Sequence, residues 1–202
     1  MKNLFLFAMV LFFPVSAYAL SHEVKVSSGT GVPDGFPSII YTATQTATVS
    51  NSSAETNLFS IGLGTSTLNP GFFSPGKTLR IRGSGVYSTT TTAPGTLNIQ
   101  VKLGGTTISS TTATSLQTSQ LNQPWVLSYT LTCLSSGASG TVIGNNFFAI
   151  YNTSTTIEAW PMTMAATKTI DTTASLSVSV TATFSVASSS NSITQSNLQI
   201  RH

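Results

Sequence analysis

The sequence predicts an all-β protein: an antiparallel β-sandwich, jelly-roll-like, with about eight to ten strands. Apolar and polar residues alternate with period two in several separate runs, which is typical of strands that are buried on one face. Turn residues rich in Gly and Pro separate these runs. Beyond the N-terminal segment, apolar residues do not recur at the spacing that an amphipathic helix requires.

The alternating runs follow one another along the chain. Each places its apolar residues on one face, and two sheets that pack against each other are the simplest way to bury those faces. Pro-Gly pairs at 70–71, 75–76 and 94–95, the Gly104-Gly105 pair and the small-residue loop 135–140 mark the connections. The runs cover residues 43–50, 78–82, 97–103, 125–133, 176–186 and 198–200.

The first 19 residues are typical of a secretory signal peptide. Lys2 precedes an apolar run of ten residues at 4–13, and Ala17-Tyr18-Ala19 fits the small-x-small cleavage pattern. We therefore expect cleavage after Ala19 and an extracellular or virion location. An uncleaved apolar segment at 1–19 is the alternative, although ten residues are too few to span a membrane, which takes about 20. No later segment resembles a membrane-spanning helix.

The segment 20–42 is predicted to be an irregular N-terminal arm because it contains Pro33, Gly35 and Pro37. The sandwich domain is then predicted to cover residues 43–202. Cys133 is the only cysteine, so the chain cannot form an internal disulfide. It lies in phase with the apolar residues of the run 125–133, which predicts a buried thiol.

Charge is scarce in this chain. Only 6% of the residues are charged, against about 25% in average soluble domains, and the net charge is +3. A surface of Ser and Thr has little charge repulsion to oppose self-association. This favours an assembly component over a free enzyme, and the scattered positive charge does not indicate a nucleic-acid partner.

The residues that carry enzyme chemistry are few and dispersed. The five carboxylates are far apart in sequence, and His22 and His202 lie near the two ends of the predicted mature chain, where we expect flexible residues. Catalysis and metal binding need such groups to be clustered. We therefore predict no enzyme activity, metal or cofactor. The glycines Gly83 and Gly85 share the inward face of their run and are predicted to leave room for a large neighbour or a bulge.

Two arginines and six aromatic residues are the candidate interface or ligand surface. Arg80 and Arg82 share one face of the run 78–82, opposite Leu79 and Ile81. We expect them to contact a neighbouring subunit or scarce acids, with an anion or acidic-sugar site as the alternative; Lys77 has the other parity, so a third cation is not expected beside them. The aromatic candidates are Phe72, Phe73, Phe147, Phe148, Tyr151 and Trp160.

Adjacent residues of a strand point to opposite faces. One residue of the Phe147-Phe148 pair is therefore expected in the core, and the other is expected to meet a second subunit or a ligand. Trp160 precedes Pro161 and is expected at the edge of a loop.

Several ordered stretches resemble a known family. FSPGKTLRIRGSGVYSTT (73–90), LNIQVKLGGTTI (97–108), SGASGTVIGNNFF (136–148) and the stretch 166–194 are similar to small all-β structural proteins of tailed phages and environmental viruses. The resemblance covers roughly residues 55–200. It implies a jelly-roll-like sandwich, often trimeric, on the outside of a particle or at a fibre tip.

The sequence therefore favours a non-enzymatic structural or assembly protein. We expect a homo-oligomer, a trimer by the resemblance, that serves as a virion surface, decoration or fibre component, with other virion proteins or a cell-surface glycan as further partners. The secretion signal departs from the family pattern. It supports an alternative, a secreted bacterial module that binds sugars or a surface.

Overall fold

The structure of the chain, a computed structural model, describes residues 38–152 and 156–202. The expected signal peptide and most of the expected arm lie outside these residues. All regular secondary structure in the described part is β-strand. The strands are β1 (Ile39–Ala43), β2 (Ala47–Ser50), β3 (Thr56–Asn57), β4 (Gly62–Gly64), β5 (Thr67–Leu68), β6 (Thr78–Ser88), β7 (Thr96–Leu103), β8 (Thr106–Ser110), β9 (Thr114–Ser115), β10 (Gln123–Ser135), β11 (Gly140–Tyr151), β12 (Ile157–Pro161), β13 (Lys168–Ile170), β14 (Leu176–Phe184) and β15 (Ser192–Arg201).

The strands form two antiparallel sheets. The larger sheet has nine strands in the order β12-β11-β10-β6-β15-β1-β4, with β13 beside β11 and β2 beside β15. The smaller sheet has six strands in the order β3-β14-β7-β8, with β5 beside β14 and β9 beside β7. The chain crosses between the sheets repeatedly, for example from β6 to β7 and from β14 to β15. The predicted antiparallel, jelly-roll-like β-sandwich is confirmed.

The described residues contain more strands than the sequence pattern indicated. Nine of the strands have five residues or more, which agrees with the expected eight to ten, and the other six have two to four residues. Each of these short strands pairs with part of a longer strand, as β3 and β5 do with β14. Two-residue strands are too short to produce a period-two pattern, so the sequence does not reveal them.

The core lies between the inward faces of the two sheets. Along β10 every second residue from Trp125 to Cys133 is buried, and the same alternation holds along β7 from Leu97 to Leu103. Cys133 has no exposed surface, which confirms the expected buried thiol. The described residues form no helix that is long and apolar enough to cross a membrane.

The sandwich begins earlier than residue 43. Residues Ile39–Ala43 are β1, which pairs with β15 on one side and β4 on the other, so residues 39–42 are not part of an irregular arm. The expected single run 43–50 is also divided by a bend. A bulge in β15 between Gln195 and Asn197 separates the halves to which β1 and β2 pair, and the chain must bend between them.

Val186, the last residue of the run 176–186, does not face the core as its parity predicts. The strand ends at Phe184, and the side chain of Val186 is 39% exposed. The amide of Ser185 donates the last hydrogen bond to the Thr96 carbonyl, at 2.9 Å. Beyond this bond the chain leaves the sheet and turns towards β15, so the period-two rule no longer applies to Val186.

The glycines of β6 make room for a large neighbour, as predicted. Gly83 and Gly85 lie in register with Leu127 and Trp125 of β10, and a Cβ atom at Gly83 would lie 3.3 Å from the Trp125 ring. The bulge of β15 lies opposite Gly85 and Ser84. Both expected features, the large neighbour and the bulge, therefore occur at this site.

Candidate functional site

The outer face of β6 carries the two predicted arginines. Arg80 and Arg82 are exposed, while Leu79 and Ile81 between and beside them are buried. Neither guanidinium makes a hydrogen bond or ion pair with any residue that the structure describes. Both arginines therefore lie on the outward face of β6, as their parity predicts.

A third arginine lies beside them. Arg201 of β15 pairs directly with Arg80, and Gln199 pairs with Arg82. The Arg201 guanidinium donates to Gln199 Oε1 from Nε at 3.1 Å and from Nη2 at 2.7 Å. This holds Arg201 along its strand towards Arg82, so the prediction that no third cation lies beside the two arginines was wrong.

Strand β10, on the other side of β6, presents two short hydroxyl side chains opposite the two arginines. Ser128 pairs with Arg82, and Thr130 pairs with Arg80. On the far side of β10, Phe147 of β11 pairs with Ser128, and Asn145 pairs with Thr130. This part of the face has arginines along one side and Phe147 along the other, with the short side chains of β10 between them. We call it the arginine trough and define it by Arg80, Arg82, Arg201, Gln199, Ser128, Thr130, Asn145 and Phe147.

A pocket continues the arginine trough at one end. It has a volume of about 120 Å³ and is lined by Thr130, Thr132, Ile143, Asn145, Thr163 and Met164. Three of these side chains carry hydroxyl groups and one carries an amide, while Ile143 and Met164 are apolar. This mixture can donate and accept hydrogen bonds and also cover an apolar surface.

The three acidic side chains among the described residues are all engaged elsewhere. Glu55 forms an ion pair with Lys102 at 2.7 Å, and this hydrogen bond, before any other cause, lowers the pKa of Glu55. Glu158 accepts hydrogen bonds from Asn152 and Gln117. Asp171 accepts from Thr173, and these bonds lower its pKa. None of the three neutralises the arginine trough.

The aromatic candidates divide between the core and the surface. Phe148 is 1% exposed and Phe147 is 40% exposed, as expected for neighbours on one strand. Trp160 lies in the edge strand β12, half-buried and stacked on Phe148 with ring centroids 6.1 Å apart. Its expected position at a loop edge was wrong, because the segment before Pro161 pairs with β11.

Two further aromatic candidates lie in the turn before β6. Phe73 is buried in the core, and Phe72 packs partly against it with the Lys77 ammonium 4.0 Å from its ring centroid. The ring centroids of Phe72 and His202 are 5.8 Å apart. The backbone amide of His202 donates to the Ser38 carbonyl, and the amide of Ser38 donates to the His202 carbonyl. His202 is therefore held in place, contrary to the expectation of a flexible end. His22 lies outside the described residues.

The last aromatic candidate, Tyr151, is half-buried at the end of β11. Its carbonyl accepts a hydrogen bond from the hydroxyl of Tyr87 at 3.1 Å, and that hydroxyl also donates to Asn152 Oδ1 at 2.7 Å. Tyr151 therefore belongs to a structural polar contact. Of the six aromatic candidates, only Phe147 lies on the arginine trough.

The sequence did not indicate most of the arginine trough. Arg201 has the outward parity of its run, but the pairing of β15 with β6 is a long-range contact that one sequence does not reveal. Comparisons of the chain with protein-family models, with curated proteins and with solved structures find no match. The geometry of the described residues therefore carries the functional argument.

Proposed function

We propose that this chain is a non-enzymatic structural protein that assembles with copies of itself, as a surface, decoration or fibre component of a virion. The observation that carries the proposal is an apolar edge on the larger sheet. Ile39, Ile61 and Leu63, on or beside β1 and β4, are 56%, 68% and 71% exposed. Large apolar side chains at an open sheet edge favour association with another chain.

The opposite edge of the same sheet supports a ring. There β12 presents Ile157, which is 56% exposed. In a closed trimer each subunit contacts the next through two different surfaces, and apolar residues at both edges of one sheet meet this requirement. A trimer is also the state that the resemblance to phage and viral structural proteins implies. The low charge of the chain removes much of the repulsion between copies.

Light scattering on the purified full chain tests the assembly. We expect a mass three times that of one chain, and we expect Leu63→Asp to reduce it to the mass of a single chain. Leu121→Asp is the matched control, because Leu121 is 72% exposed and lies in the connection between β9 and β10, on neither of the edge strands β4 and β12. A wild-type monomer at high concentration, or a Leu63→Asp variant of unchanged mass, would contradict the proposal.

The location of the protein needs a separate experiment. A virion component assembled in the cytoplasm would keep Met1, whereas an exported module would begin at Leu20 if the expected signal is cleaved. Mass spectrometry of the native N-terminus distinguishes these cases. An N-terminus at Leu20 in secreted material would favour the alternative, a secreted bacterial module that binds sugars or a surface. Capsid or tail genes beside the coding gene would support the virion role.

A further inference from the structure

We propose that the arginine trough binds an acidic polysaccharide. Its carboxylate or sulfate groups would lie on Arg80, Arg82 and Arg201, and its sugar ring would cover Phe147. This inference goes beyond assembly, and it applies equally to a virion protein and to an exported module. It uses a face of the sheet rather than the apolar edges on which assembly depends.

The positive charge of the arginine trough is unbalanced. Arg80 and Arg201 are directly cross-strand, and like charges in that position destabilise a sheet. Arg82 adds a third charge on the same face, two residues from Arg80. No described acidic side chain pairs with them, since Glu55, Glu158 and Asp171 bind other groups. An anionic ligand would convert this repulsion into charge-assisted hydrogen bonds, for which the planar guanidinium is well suited.

The same observation disfavours a second copy of the chain as the occupant. A copy that met this face through a different surface would have to offer acids to the arginines, and the described acidic side chains are already bonded. Chain-wide, Lys and Arg number eight and Asp and Glu number five, so a copy offers no excess of negative charge. The ligand must be a different molecule that supplies its own anionic groups.

The side chains of β10 and β11 beside the arginines suit a sugar. Ser128 and Thr130 are short and offer hydroxyl groups, and Asn145 adds an amide. Two strand spacings separate β6 from β11, so the two sides are roughly 10 Å apart. Phe147 provides an exposed ring for the apolar face of a sugar. The adjoining pocket of about 120 Å³ continues this polar and apolar lining past Thr132.

The lining does not suit a nucleic acid. Proteins that hold single strands stack successive bases on several aromatic side chains, and the arginine trough has only Phe147. Its three cations are also few for a phosphate backbone, which usually meets an extended basic stripe. A ligand with spaced acidic groups and many hydroxyls fits better than one with regular phosphates and flat bases.

Calorimetric titration of the full chain tests the inference with defined probes. Dextran sulfate and uncharged dextran share one backbone, and oligogalacturonate replaces the sulfate by a carboxylate. We expect binding to one or both acidic probes, weakened by salt, and none to dextran. Preference between the two acidic probes identifies the anionic group. Equal binding of dextran, or tighter binding of single-stranded DNA of matched charge, would overturn the proposal.

Three variants localise the site. Arg82→Gln is expected to weaken binding about tenfold, as loss of a charge-assisted bond implies, and Phe147→Ala is expected to weaken it with an unchanged salt dependence. Lys168→Gln, which removes an exposed cation on β13, is the control and should retain wild-type affinity. Wild-type affinity in both Arg82→Gln and Phe147→Ala would place the ligand elsewhere.

The thermal midpoint of Arg80→Gln distinguishes a binding role of the arginines from a structural role, because the two roles predict opposite changes. Arg80→Gln removes the like-charge pair with Arg201, so the thermal midpoint of the free protein should rise while acidic-probe binding falls. If Arg80→Gln instead lowers the midpoint, or lowers the oligomer mass while binding persists, the arginines serve folding or assembly and the inference fails.

Discussion

The indole of Trp125 lies against Gly85, and a Cβ atom built on Gly85 would lie 3.0 Å from Trp125 Nε1. The same Nε1 donates a hydrogen bond to the Thr194 carbonyl of β15 at 3.0 Å. Trp125 is 1% exposed. One side chain of β10 therefore passes under β6 to reach β15, and the absence of a side chain at Gly85 is what makes this possible.

Gly85→Ala should consequently destabilise the fold. The added methyl group would meet the Thr194 carbonyl and the indole, and overpacking of this kind costs about 2 kcal/mol. Urea unfolding monitored by tryptophan fluorescence measures the change. Ser84→Ala, one residue away with an outward side chain, is the control and should remain within about 0.5 kcal/mol of wild type. An unchanged midpoint for Gly85→Ala would show that the sheet adjusts freely here.

Two aromatic residues on the neighbouring strands β11 and β12 should respond differently to truncation. Trp160 stacks on the buried Phe148, so Trp160→Ala should lower the free energy of unfolding by about 2 kcal/mol. Phe147 faces outward, and Phe147→Ala should change it by less than about 0.5 kcal/mol. Urea unfolding of both variants makes the comparison. A larger loss for Phe147 than for Trp160 would reverse the assignment of core and surface.

Local alternation predicted most of the long strands because burial on one face imposes period two on a strand. The faces of β6, β7, β10 and β14 followed from it, including the outward position of Arg82. Short strands such as β4 could not be predicted, because three residues are too few to show a period-two pattern. The separation of β1 from β2 could not be predicted either. It depends on a bulge in β15, more than a hundred residues further along the chain.

The candidate site was predictable only in part, for the same reason. Parity placed Arg80 and Arg82 together because they lie on one strand. It could not place Arg201 beside Arg80, or Phe147 across from Arg82, because those relationships depend on which strands pair. Neighbouring strands of a sandwich are often distant in sequence, and one sequence without homologues does not report such pairs.

Cys133 should be unreactive in the folded protein. Burial raises the pKa of its thiol, and the S–H group donates a hydrogen bond to the Ser135 carbonyl at 3.3 Å, which only the protonated thiol can make. The thiolate is the reactive form, so little of it exists near neutral pH. A colorimetric thiol reagent should modify the native chain far more slowly than the urea-unfolded chain, which serves as the control. Rapid native labelling would show that the strand end around Cys133 opens readily.

Two tyrosines should resist ionisation until the fold is lost. Burial raises the pKa of Tyr129 to about 12, and burial, with a smaller effect of Glu158, raises that of Tyr87 well above its usual value. In the unfolded chain both would ionise near pH 10. Their contribution to stability is therefore fully present below about pH 10 and is lost as the pH rises through the folded values.

Alkaline titration followed by tyrosinate absorbance tests this directly. Tyr87 and Tyr129 should both remain protonated in the native protein at a pH where they ionise in urea. Tyr87→Phe should reduce the protected number to one, although it also removes the bonds to Asn152 and Tyr151, so its fold is checked at neutral pH. Ionisation of Tyr87 and Tyr129 at the same pH in the native and the urea-unfolded chain would contradict the burial of both hydroxyl groups.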